Sequence, residues 1–291
     1  VLSSLSSLSS SSSSLSSTQK SNQKQSIVYR FFALFKIIVG LLYLCWTNIY
    51  IGAFHRKRLF ANEPFRVKKD VAWSKPIALK DVKAVKNKLG VTVNDVLVSC
   101  LTFAIRQYAL KVYDGVVPDR EVLVAIPVSV RHMDDWEPGN KVSTVWLWLP
   151  IHQDNRLQCV KTIHERMLYL KRSPAVPFGF GYLKFVGKFS KLLVNKRFAR
   201  YFMSKSSAVM TNVPGASEPG LHFAGYHIKA HLPFVPQPGQ GGLGVGILSY
   251  NGEVRISILT DYNAQEQNPS RARAICDHFV QEFNQFIKLA Q

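Results

Sequence analysis

Two short runs constrain this chain more than anything else in it. Glu121–Val130 and Val142–Leu149 are β-rich and nearly continuously apolar, the pattern of strands covered on both faces. Strands of that kind need helices against them, and the flanking sequence supplies helical spacing. Leu79, Val82 and Val85 recur at that spacing until Gly90, a residue suited to the left-handed end of a helix. Thr92 then opens a second helix with Asp95 three positions on, a capping-box-like start, and Val96, Leu97, Cys100, Leu101 and Ala104 form its buried stripe. Asn155–Lys171 and Tyr182–Met203 read as further helices, and Ala208–Val213, Gly242–Tyr250 and Glu253–Tyr262 as strands. Asn251-Gly252 joins the last two as a hairpin. Asn268 is expected to cap a final helix with Pro269 at its first position and Ile275, Phe279, Phe283, Phe286 and Ile287 along one side. The fold class is therefore α/β (α+β), a mixed sheet flanked by helices.

Composition divides the chain into three segments. Val1–Ser26 is dominated by Ser with Leu at 2, 5, 8 and 15, too little apolar surface to offset the entropy of ordering it, and reads as a solvated linker. Because the first residue is Val1 and the chain opens in low-complexity sequence, its start is expected to be that of a fragment rather than a signal peptide. Residues 27–58 form an apolar, membrane-associated segment. Within it, Ile37–Phe54 is uncharged over 18 residues, the lower limit for crossing a hydrocarbon core of about 30 Å. Lys36 and Asn48 shorten the usable span, so a buried or surface-lying apolar helix competes with one that spans. The cluster His55-Arg-Lys-Arg58 would keep the C-terminal domain on the cytosolic side. Residues 59–291 make the third segment, the folded domain.

Motifs for several chemistries are missing from the sequence: no GxSxG, no Walker A loop, no HExxH and no GxGxxG. The four cysteines (45, 100, 159, 276) are widely spaced and read as buried free thiols, and the eight histidines are scattered, so no metal site is expected. The Gly-rich stretch Gln237–Gly246 has no helix behind it to bind phosphate, so its glycines are expected to allow either a close backbone approach or a bend in a strand that enters the site. The formal charge is +19, and the basic residues cluster. Arg56–Lys88 holds eleven Lys/Arg against three acids. Lys184, Lys188 and Lys191 share one helical face beside Phe185, Val186 and Phe189, the make-up of a helix lying on an anionic membrane. A solvated face and the phosphates of a nucleotide-tailed substrate are the other uses of this charge; no nucleic-acid motif accompanies it.

Gly90-Val-Thr-Val-Asn94-Asp95-Val-Leu97, then Ile126-Pro-Val-Ser-Val-Arg131 with Gly139-Asn140 and Leu149-Pro150, then Thr211-Asn212-Val-Pro-Gly215 stand in a telling order. With Ser249-Tyr-Asn-Gly252 and Asp261 they resemble the C-terminal half of the wax ester synthase/diacylglycerol acyltransferase family, from about Phe60 onward. The resemblance implies a chloramphenicol-acetyltransferase-like domain, one of two that face each other across a tunnel. It implies an O-acyltransferase that moves a fatty acyl group from acyl-CoA to a long-chain alcohol or diacylglycerol, with no cofactor beyond that co-substrate, on a membrane of the endoplasmic reticulum. In the family a HHxxxDG motif on the N-terminal domain supplies the general base. This sequence has no such motif; His132-Met-Asp-Asp-Trp-Glu-Pro-Gly139 has one histidine and the wrong spacing. The N-terminal domain is thus an expected partner, and the chain alone is expected to be inactive.

The resemblance gives Asn94 a supporting catalytic role, orienting substrate or donating to the oxygen that becomes negative, a task worth roughly 3–4 kcal/mol. It makes Asp95, Arg131, Asn140 and Asn212 candidates for substrate binding. From the residues alone Asn94 reads as a helix-start side chain, Asp95 as the residue holding the first turn, and Asn140 and Asn212 as loop-capping residues. Arg131 suits either a CoA phosphate or a buried carboxylate. The alternative function is a non-catalytic, membrane-bound acyl-CoA or lipid-binding module that keeps the fold.

Overall fold

The structure, a computed structural model, describes residues 67–290 apart from 118–120, 132–133, 140, 174–180, 182–200, 202–203, 217–219, 238–241 and 263–269, with scattered positions between 30 and 59. Its elements run β1 (Lys69–Trp73), β2 (Ile77–Ala78), α1 (Leu79–Leu89), α2 (Val93–Val112), β3 (Val122–Ser129), β4 (Val142–Leu149), α3 (Arg156–Arg172), β5 (Ala208–Pro214), β6 (His222–Phe223), β7 (Tyr226–His227), β8 (Leu243–Tyr250), β9 (Glu253–Asp261) and α4 (Arg271–Leu289). The sheet is mixed, in the order β1-β9-β8-β5-β3-β4, with β2 also on β9; β5 runs parallel to both β3 and β8. Every other described pairing is antiparallel.

Register decides which face of this sheet is the core. Val124 lies opposite Leu147 and Ala208, Met210 opposite Val245, Ile247 opposite Ile256, and Ala72 opposite Ile258. All of these side chains belong to one buried cluster, to which α1, α2, α3 and α4 contribute. Alternation along each strand therefore commits one face to the helical layer. In α4 the positions i, i+4 and i+7 carry Phe279, Phe283 and Phe286, all buried, and Phe286 meets Phe103 of α2 edge to face at 6.2 Å.

Three expectations need correcting. β4 is not covered on both faces: its burial alternates, with Ser143, Val145, Leu147 and Leu149 on the buried face and the others half-buried on the other. Trp146 and Trp148 on the outer face made the run read as continuously apolar. The cap of α4 is Ser270 rather than Asn268, which lies outside the described residues with Pro269. Ser270 Oγ accepts the Arg273 amide, while the Asp70 carboxylate, reaching over from β1, accepts from Ser270 Oγ and the Ala272 amide, each at 3.1 Å. β1 and β2 went unanticipated, since Lys69 and Asp70 break the apolar pattern; Lys69 is instead used against buried Asp261, directly opposite on β9, at 2.6 Å.

The expected helix at 182–203 and its lysine face lie largely outside the described residues, as do most of 27–58. Of the latter segment Leu34, Leu42, Trp46 and Phe54 are exposed and Ile51 is buried. No single helix among the described residues is long and apolar enough to cross a membrane.

Of the two readings of the β8 glycines, the structure shows the close backbone approach. A Cβ on Gly244 would stand 1.7 Å from the Val235 carbonyl oxygen, and one on Gly246 2.2 Å from that of Pro233. The segment 233–237 thus lies directly on the sheet face opposite the helices, held there by Ser257 Oγ, which donates to the Pro233 carbonyl. At the hairpin, Asn251 (φ 48°) and Gly252 (φ 75°) are both left-handed, as a two-residue primed turn requires.

Three measurements test this packing. Gly244→Ala should lower stability by about 1–3 kcal/mol in urea unfolding, because the strap has to move off the strand. Cys100, Cys159 and Cys276 are buried, and burial pushes the thiols of Cys159 and Cys276 from the usual 9.0 up to about 12. Native chain at pH 8 should leave these three unlabelled by a thiol reagent and label them on denaturation. The same shifts make stability fall as pH rises from about 9 towards 12, where the unfolded chain ionises its thiols and the folded chain holds their protons.

Candidate functional site

The site begins at the junction of α1 and α2. Gly90, left-handed at φ 67°, ends α1, and α2 sets off at 98° to it. The first turn of α2 is then closed by a reciprocal cap: Thr92 Oγ1 accepts the Asp95 amide at 3.3 Å, and Asp95 Oδ2 accepts the Thr92 amide at 2.8 Å. Asp95 is completely buried. Its Oδ2 takes a further bond, from Nδ1 of His164 on α3 at 2.6 Å, while Oδ1 has no partner among the described residues. A carboxylate only accepts, so Nδ1 of His164 carries the proton in this contact.

The sheet brings the second half of the site. β3 and β5 pair at only two positions, Val124 with Ala208 and Ala125 with Val209. Beyond them β5 stays bonded to β8 as far as Pro214, while β3 stays with β4, so the ladder between β3 and β5 ends early. Exposure rises accordingly along β3, from fully buried Val122–Ala125 to exposed Ser129. An interruption between strands at their carboxyl ends is where open α/β sheets place ligands. Asn212 stands there. The alternation that sends Ala208 and Met210 into the helical layer sends Asn212 the same way, and its Nδ2 donates to Oδ1 of Asn94 in the first turn of α2. With its oxygen held by Asn212, the Asn94 amide keeps its Nδ2 protons for another acceptor; none is found among the described residues.

Two of the sequence-derived candidates, Asn94 and Asn212, are therefore in direct contact, and Asp95 is next to them beneath the turn. Arg131 is placed differently. Its guanidinium closes the loop after β3, donating to the carbonyls of Asp135 (3.0 Å), Glu137 (2.5 Å) and Gly139 and lying 3.5 Å from the Asp135 carboxylate. Lys141 hydrogen-bonds Asp135 from the other side and holds that carboxyl below its usual range. Asn140 lies outside the described residues.

His164 is the residue that sequence reasoning passed over. It follows buried Val160 and Ile163 on α3, so its place on the inward side was visible, but its partner stands 69 positions away. His222 and His227 stack edge to face at 5.1 Å across the β6–β7 hairpin. Among the described residues no group of His, Cys, Asp and Glu could hold a metal. A groove of about 390 Å³ beside β4, lined by Trp146, Trp148, Arg166 and Tyr169 among others, shares no residue with the Asn94–Asn212 pair.

Residues 138–286, just over half of the chain, match the family model of the WS/DGAT C-terminal domain. Similar curated proteins include a putative diacylglycerol O-acyltransferase of Mycobacterium tuberculosis, 26% identical over 205 residues, which are 68% of this chain and 40% of that protein. A probable diacylglycerol O-acyltransferase of the same species is 28% identical over 206 residues, 69% of this chain and 44% of its own length. The chain thus spans less than half the length of these relatives. Among solved structures the fold is that of the wax ester synthase/diacylglycerol acyltransferase from Marinobacter aquaeolei VT8, with a TM-score of 0.59 at 19% identity over 87% of this chain and 57% of that one. The epimerization domain from the third module of tyrocidine synthetase B shares the fold at a TM-score of 0.54, with 13% identity over 86% of this chain and 56% of that one. The match of more than half of the chain to that C-terminal domain places it in the wax ester synthase/diacylglycerol acyltransferase family, whose C-terminal domain it carries, and the mixed sheet with its helices is the corresponding fold.

Proposed function

We propose that this chain works as the C-terminal half of an O-acyltransferase that transfers a fatty acyl group from acyl-CoA to a long-chain alcohol or diacylglycerol. The observation behind this reading is the Asn94–Asn212 amide pair at the early end of the β3–β5 ladder, with the Asn94 Nδ2 left as donor. Attack of an alcohol oxygen on a thioester carbonyl places negative charge on the carbonyl oxygen. A fixed amide N–H aimed at that oxygen stabilises the tetrahedral state more than the ground state. The base that takes the hydroxyl proton comes, in this reading, from a HHxxxDG-bearing N-terminal half. Asp95 keeps the first turn of α2 rigid, Arg131 shapes the loop that follows β3, and Asn212 borders the substrate; Asn140 is kept as a substrate-binding residue on the family resemblance alone. Metal and cofactor have no part in the proposal.

The chain is further proposed to sit on a membrane of the endoplasmic reticulum, with the folded domain on the cytosolic side. Residues 27–58 supply the apolar attachment and the surplus of Lys and Arg draws anionic lipid. The full chain should therefore stay with anionic vesicles at high salt, whereas a chain lacking 27–58 should be released as salt is raised. Release of the full chain by salt alone would leave charge as the only attachment.

Asn94 is tested in an enzyme in which this chain follows a HHxxxDG-bearing half, with acyl-CoA and hexadecanol as substrates; residues 1–291 alone should form no ester. Asn94→Ala should lower kcat roughly 100-fold or more with little change in KM. Asn94→Asp keeps the acceptor that Asn212 uses but loses the donor, so it should lose turnover without losing the bond to Asn212. A helix-start role predicts instead a loss of about 1 kcal/mol in stability with kcat per folded molecule intact. No ester from the joined enzyme, together with acyl-CoA binding by the chain, would favour the binding-module reading.

A further inference from the structure

The Asn94 amide is only as well placed as the turn that carries it, and that turn is held from a second helix. Asp95 Oδ2 receives both the Thr92 amide and His164 Nδ1, while Oδ1 is buried with no partner among the described residues. One oxygen thus fixes the carboxylate, and one of its two donors comes from outside α2. His164 is well suited to this task because α3 is itself anchored to the sheet. Two positions along from it, Arg166 donates to the Trp148 carbonyl of β4 and to Glu121 Oε1, each at 2.5 Å. From α2, Arg106 reaches the Ile151 carbonyl just beyond β4 at 2.8 Å.

We infer that His164 is a positioning residue for the acyl-transfer site: by donating from Nδ1 to Asp95 it locks the first turn of α2 to α3, and so sets where the Asn94 amide stands against Asn212. The inference rests on the reading of Asn94 as a donor to the reacting oxygen, but the contact itself does not. His164 transfers no proton in this role. Either the neutral Nδ1–H form or the imidazolium can donate, and what matters is a donor at the Nδ1 position. Without it the buried Asp95 carboxylate keeps a single backbone donor, a poorly satisfied arrangement that favours movement of the turn. Displacement of a reacting group by about 1 Å is enough to cost a large factor in rate.

The side-chain amide signals of Asn94 and Asn212 in ¹⁵N-labelled 1–291, assigned through Asn94→Asp and Asn212→Asp, report the contact without any activity. His164→Ala should shift both signals and narrow the difference between the two protons of each amide. His164→Asn should restore them, since its Nδ2 falls where Nδ1 of the imidazole stands, whereas His164→Gln puts its donor at the Nε2 position and should not. Unchanged amide signals in folded His164→Ala would overturn the proposal. If that variant does not fold, equal spectra for the Asn and Gln variants would overturn it as well. In the joined enzyme His164→Ala should lower kcat by on the order of tenfold to 100-fold at unchanged KM, with recovery in His164→Asn. Loss of turnover in both variants would make His164 a proton carrier and refute the positioning role. Amide signals that move as expected, with kcat insensitive to Asn94→Ala, would keep the His164 contact and discard the acyl-transfer reading of Asn94.

Discussion

The buried carboxylate of Asp95 is the contact on which the rest of this domain leans. It closes the first turn of α2, and α2 is the helix that packs against α1, α3 and α4 alike and supplies Val96, Leu97, Leu101, Ile105 and Tyr108 to the core. A negative group at a helix N-terminus is favoured by the unpaired amides and the dipole there, which helps an acid to be completely buried. Because Asp95 also takes the His164 bond, the same carboxylate joins the helical layer at the point where Asn94 meets the sheet.

Among the described residues, charge buried elsewhere in the helical layer is hydrogen-bonded. Glu282 of α4 accepts from Arg156 of α3 at 2.8 Å and from Gln107 of α2 at 3.2 Å, a link among three helices, and the Arg156 guanidinium lies 4.9 Å from the centre of the Phe103 ring. Arg271, at the start of α4, points to Tyr108. Such pairs add little net stability over apolar packing of the same shape, but breaking one partner leaves a buried charge. They specify how the helices stack, whereas the phenylalanines of α4 supply the area. The sheet, by contrast, is held to its second face by backbone approach: Gly244 and Gly246 omit side chains so that the carbonyls of Val235 and Pro233 can reach the strand.

Local signals were legible in the sequence wherever neighbours in the chain decide the outcome. The Thr92–Asp95 box, the Gly90 stop and the Asn251-Gly252 turn all depend on contacts within a few residues, and the family resemblance rests on strings of the same local kind. At the start of α4 two local capping residues compete, Asn268 and Ser270, and Asp70 from 200 residues earlier supports the Ser270 cap. His164 goes unmarked because its partner stands 69 positions away.

The sequence by itself determined that strands and helices would mix, which stripe of each helix would be apolar, where α2 would start and which residue types could donate to a reacting oxygen, because periodicity and capping are short-range physics. Only the tertiary structure decided that β3 and β5 part after two pairs, that Asn212 meets Asn94 across 118 positions, and that a histidine on a third element secures the acid beside them. Those outcomes arise from strand order and from burial, which exist only once distant parts of the chain share one core, and a hydrogen bond between distant side chains leaves no periodic mark in the sequence.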